Sequence, residues 1–72
     1  MAYCKKLFYK INKNTGEMLA LFLESKFNHF DRKNDWFLVK LVSDGKTTRR
    51  IEKKIPDDLA LKIKEAVLWG LI

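Results

Sequence analysis

Seventy-two residues, 47% of them hydrophobic and 33% charged, with a single proline, describe one small domain, too short for two cores and too apolar for a disordered chain. Fifteen Lys and Arg against nine Asp and Glu leave a formal charge of +6, which excludes an acidic mimic of DNA and points to an anionic partner.

The first element signal is Asn14-Thr15-Gly16, where a type I turn followed by a left-handed glycine predicts a three-residue hairpin loop. That loop sets Lys13 opposite Glu17, Ile11 opposite Leu19, Tyr9 opposite Leu21 and Leu7 opposite Leu23. In the other parity Lys10 meets Ala20, Phe8 meets Phe22 and Lys6 meets Glu24, so apolar residues pair and both charged pairs are of opposite sign. Residues 25–35 are the least legible: a long turn, a continuation of the second strand or a short helix, with Phe27 and Phe30 expected in the core. Ser43-Asp44-Gly45 closes a second hairpin made of residues 36–42 and 46–54. A two-residue type I′ turn there would set Lys40 against Arg49. The preferred bulged loop sets Phe37 against Ile51, Leu41 against Thr47 and Val39 against Arg49.

Pro56 suits a first helical position, and Asp57 and Asp58 put negative charge at the positive end of the helix dipole. Leu59, Ile63, Ala66 and Val67 recur at helical spacing, Ala60 and Leu71 widen the stripe, and Gly70 is placed to cap the end with Leu71 folding back. The expected fold is α+β: a four-stranded antiparallel meander of two hairpins packed against one C-terminal helix, ββββα, in a single domain over residues 1–72. Leu7, Tyr9, Ile11, Leu19, Leu21, Leu23, Phe37, Val39, Leu41 and Ile51 would face the helix.

Catalysis finds little support. Cys4 and His29 are the only cysteine and the only histidine, with no family signature around either, and together they cannot complete a structural zinc site. Three dispersed glycines make no phosphate loop, and Asp57 and Asp58 are explained by the helix start. The expectation is a non-enzyme with no catalytic residue, no metal and no cofactor. A lone cysteine excludes an intrachain disulfide, and residues 1–9 lack the apolar core of a signal peptide. The longest apolar run, residues 18–23, falls far short of the roughly 20 residues needed to cross a bilayer. A cytoplasmic protein without membrane association is expected. Its lysine-over-arginine bias points to an AT-rich genome, a phage or a low-GC bacterium.

The positive charge is uneven: residues 1–30 carry +3, residues 31–55 carry +4 and residues 56–72 carry −1. In the registers above, the sheet face away from the helix shows Lys6, Phe8, Lys10, Phe22, Trp36, Leu38, Lys40, Arg50 and Lys54. Cations interleaved with aromatics suit single-stranded nucleic acid, the cations meeting phosphates and the rings stacking on bases. Lys6, Phe8, Lys10, Trp36, Lys40, Arg50 and Lys54 are the expected binding residues. An Asp-Gly turn, a basic strand and then Ile55-Pro56-Asp57-Asp58-Leu59 opening a terminal helix resemble, by topology over residues 36–72, the positive-cofactor-type single-strand DNA-binding coactivators. The resemblance implies single-stranded DNA as partner, and it maps no site residue of that family onto this chain.

Leu61 and Leu68, with Ile72 and the neighbouring Trp69, form a second apolar stripe on the helix that one core cannot use. It predicts a homodimer or a docking face. Two functions follow. The first is a basic dimer that binds single-stranded DNA or RNA. The alternative is a small regulator or inhibitor of phage type that docks on an acidic host protein through its helix face or sheet.

Overall fold

The computed structural model describes residues 3–72, so the first two residues of the expected domain lie outside the described part. The chain forms β1 (Cys4–Ile11), β2 (Met18–Asn28), β3 (Lys33–Ser43), β4 (Thr48–Ile55) and α1 (Asp57–Leu68), and the strands pair antiparallel in the order β1-β2-β3-β4. The expected ββββα meander is the observed one. Its turns, and therefore its faces, differ from expectation.

The first loop closes one residue earlier than expected. The Asn12 side chain accepts from the Asn14 N–H at 3.0 Å, the Gly16 N–H reaches back to the Asn12 carbonyl at 2.8 Å, and Asn12 pairs with Glu17. Residues 13–16 are thus a four-residue loop with Gly16 left-handed at φ 77°. Ile11 then faces Met18 and Lys10 faces Leu19, and a bulge between Lys6 and Phe8 shifts the register once more, so that Lys6 faces Phe22.

Neither expected form of the last hairpin is present. Asp44 pairs with Thr47 across Gly45-Lys46, with Gly45 at φ 93°, and the Asp44 carboxylate accepts from the Lys46 and Thr47 N–H groups at 2.8 Å each. Ser43 accordingly faces Thr48, Leu41 faces Arg50 and Lys40 faces Ile51. The two hairpin tips touch: a Cβ on Gly45 would lie 3.3 Å from the Thr15 carbonyl oxygen.

Residues 25–35 resolve as a continuation of β2 to Asn28, a four-residue loop and the start of β3. The Asn28 side chain accepts from the Phe30 and Asp31 N–H groups at 2.9 and 3.3 Å. Phe27 and Phe30 do not enter the core: they are 54% and 99% exposed. Pro56 caps the helix from outside rather than beginning it, with ψ 155°. At the other end the Gly70 and Leu71 N–H groups bond to the Val67 and Ala66 carbonyls at 3.1 and 2.8 Å, with Gly70 at φ 75°. This is the Schellman arrangement.

These registers define two faces. On the α1 side the rows across the sheet read Tyr3–Ser25–Trp36–Ile55, Lys5–Leu23–Leu38–Lys53, Phe8–Leu21–Lys40–Ile51 and Lys10–Leu19–Val42–Arg49. The reverse face carries Cys4–Glu24–Phe37–Lys54, Lys6–Phe22–Val39–Glu52 and Tyr9–Ala20–Leu41–Arg50. Tyr9, Ile11, Phe37, Val39 and Leu41 are therefore on the side away from the helix, and Leu38 is on the helix side against the core, all against expectation. Leu19, Leu21, Leu23 and Ile51 are on the helix side, as expected.

The core sits at one end of the helix side. Leu23, Ile55 and Ala60 are buried there, and Tyr3, Leu7, Trp36, Leu38 and Ile63 pack around them. Ala60 is the buried helix residue, while Leu59 is partly exposed. On the reverse face no helix covers Val39, yet it is 0% exposed. Arg50 reaches over β3 to Glu24 at 2.9 Å and to Glu52 at 2.6 Å, and Lys26 meets Glu52 at 2.9 Å, forming a charged strap on the face that carries Val39.

Candidate functional site

The seven residues expected to form one basic, aromatic face divide between two. Phe8, Lys10, Trp36 and Lys40 lie on the helix side, and Lys6, Arg50 and Lys54 on the reverse. A one-residue slip exchanges faces, because successive side chains of a strand point to opposite sides.

On the reverse face the cations are already engaged. Bonding to Glu24 first, and then to Glu52, raises the Arg50 guanidinium above its ordinary value; Lys26 and then Arg50 hold the Glu52 carboxyl below the usual range. Lys54 lies 3.6 Å from Asp35, and Lys6 sits 5.4 Å over the Tyr9 ring. Trp36 is not a free platform either. It packs against the core, its ring meets the edge of Tyr3 at 5.5 Å, and Lys64 sits 5.3 Å over it.

The helix side has the opposite character. Beyond the rows that α1 covers, Phe8, Leu21, Ile51, Leu19 and Val42 form a partly exposed apolar floor. Around and within it stand Lys5, Lys10, Lys40, Arg49 and Lys53, none of which makes an ion pair among the described residues. The acids Glu24, Asp35 and Glu52 all belong to the reverse face. A hollow of about 520 Å³ opens at the hairpin end of this floor, lined by Lys10, Leu19, Lys40 and Val42 and, at the loops, by the acids Glu17 and Asp44.

Lys5, Arg49 and Lys53 were not among the expected residues. One signal was present in the sequence: along β4, Arg49, Ile51 and Lys53 alternate without an acid, whereas Glu52 shares a parity with Arg50 and Lys54.

The helix stripe is where the periodicity puts it. Leu61, Leu68, Trp69 and Ile72 are exposed, Leu68 at 81% and Trp69 at 77%. Leu61 and Leu68 form one wall of a 470 Å³ groove whose other lining includes Tyr3, Lys5 and Val67.

Cys4 is exposed at the start of β1 opposite Glu24, and His29 lies beyond the far end of β2, edge-on to Phe27 at 5.0 Å. About five residues of strand, roughly 15 Å, separate them, so they form no nucleophile–base pair. No group of three or more His, Cys, Asp or Glu able to hold a metal occurs among the described residues, and no helix is long and apolar enough to cross a membrane. No protein-family model matches this sequence, and the comparisons with curated proteins and with solved structures return no match.

Proposed function

We propose that this chain is a non-enzymatic binding protein, a small regulator that docks on an acidic surface of another protein through the open half of its helix-side face. The observation that carries this reading is the pairing of an aliphatic floor with five cations that have no acid partner among the described residues. Apolar burial supplies most of the association free energy at such a surface, and the cations set rate and specificity. Leu61, Leu68, Trp69 and Ile72 supply a second contact, through which the chain forms a homodimer.

Single-stranded nucleic acid is the second reading, and the five free cations favour it. Base stacking does not: Phe8 is the one ring among them, and Trp36 is packed beside Tyr3 and Lys64.

A fluorescence titration at 50 and 300 mM salt separates the two, with a glutamate–leucine copolymer and a single-stranded oligonucleotide as probes. Docking on protein predicts copolymer binding that largely survives 300 mM salt and is lost in Lys40→Glu/Arg49→Glu. The nucleic-acid reading predicts oligonucleotide binding with a log–log salt slope near −3.5, about −0.7 for each of five contacts. Oligonucleotide binding of that slope without copolymer binding would transfer the assignment to nucleic acid.

A further inference from the structure

We propose that the partner's share of this surface is an amphipathic α-helix with acidic residues on both flanks of its apolar stripe, seated beside α1 as the second helix of the layer. The inference rests on the docking reading just given, and three observations carry it.

The first is coverage. α1 has 12 residues, about 18 Å at 1.5 Å per residue, and packs at the Ile55 end of the sheet. The rows through Leu21 and Leu19 are left open. Edge to edge the four strands span about 14 Å, and the open rows run a similar distance along them. A helix with its side chains is about 10–12 Å across, so this area takes one.

The second is the backbone. The floor is centred on β2 and β3, which are interior strands whose main-chain groups are paired on both sides. A segment resting on them receives no main-chain hydrogen bond. An extended peptide would leave its own N–H and C=O groups unmet and belongs at an edge strand, whereas a helix satisfies its backbone internally.

The third is charge. Lys5 and Lys53 end one row and Lys10 and Arg49 another, so four cations stand at the corners of a frame about 14 Å on a side, with Lys40 inside it. The Lys5–Lys53 row is the one α1 covers at Leu23, so a helix laid on the two open rows has Lys5 and Lys53 on its α1 flank and Lys10 and Arg49 on the other. Acids at i and i+7 on each flank, about 10.5 Å apart, reach them.

The probe is a synthetic four-turn peptide with leucines at i, i+3, i+4 and i+7 and flanking glutamates, beside the same peptide carrying a central proline. Anisotropy measures binding, and circular dichroism reads the helix gained. Binding of the first peptide is expected with a rise in helicity, and weakening by at least about tenfold on proline insertion. Binding should be lost in Lys40→Glu and in Ile51→Asp, both exposed positions that leave the core intact. Equal binding of both peptides overturns the helix and leaves the acidic-partner reading standing. Binding of neither peptide, with retention of an oligonucleotide, overturns both. Binding that survives Lys40→Glu and Ile51→Asp overturns this placement.

Discussion

Trp36 shows how position decides what a side chain does. Placed among exposed lysines it would stack on bases; in the fold it lies at the core edge with Tyr3 and Lys64 against it. Trp36→Ala should therefore lower unfolding free energy by about 2–3 kcal/mol, below the fully buried aromatic range because the ring is only partly covered. Urea denaturation measures this, and an unchanged midpoint would return Trp36 to the list of surface residues. Glu52 gives a pH prediction. Its carboxyl is held below the ordinary range by Lys26 and then Arg50, so it contributes stability that is present above that range and fades as pH falls through the lowered value. The melting temperature should drop on acidification below about pH 4. Glu52→Gln should melt lower than the parent at pH 7 and converge on it in acid. Cys4→Ala and His29→Ala should leave partner binding unchanged, which the copolymer titration reads directly.

The hairpin tips and the helix end depend on glycine for different reasons. Gly70 needs only its left-handed φ of 75°, with nothing within 4 Å of an added Cβ, so Gly70→Ala should cost about 1 kcal/mol. Gly45 combines φ 93° with a Cβ position 3.3 Å from the Thr15 carbonyl oxygen. Gly45→Ala should cost more, on the order of 2 kcal/mol, because it adds backbone strain and at the same time pushes the two loops apart. Thermal melts of the two variants side by side test the ordering; equal losses would show that the contact between tips contributes nothing. The same elements fix the faces, since Asn12 and Asp44 set the turns and the turns set which cations stand on the side of the open floor.

Over the whole molecule, charge separates by face. The reverse face strings Glu24, Arg50, Glu52 and Lys26 into a strap, while Lys5, Lys10, Lys40, Arg49 and Lys53 on the helix side make no ion pair among the described residues. Four strands with one helix leave apolar surface on both sides, and the proposed docking and dimer rest on that exposed surface. Leu68→Lys should abolish self-association without altering the melting temperature, because Leu68 is 81% exposed. Sedimentation at tens of micromolar is the measurement, and a parent chain that runs as a monomer would dismiss the dimer.

Element order, the acidic helix start, the left-handed glycines at Gly16, Gly45 and Gly70 and the exposed Leu61–Leu68 stripe are local matters, and local patterns suffice for them. Turn residues and helical spacing act within a few positions of one another. Faces are another matter. Side chains alternate with a period of two, so a turn that closes one residue early, as at Asn12, or a bulge, as at Leu7, moves a whole row of residues to the other side. Pairing alone favours the expected register of the first hairpin, since the observed one sets Lys5, Lys6 and Lys10 opposite Leu23, Phe22 and Leu19, so residue type does not choose the register. The choice was made by the Asn12 and Asp44 side chains at the turns and by burial of Leu23 and Ile55 under Ala60, contacts that exist only once the chain has folded.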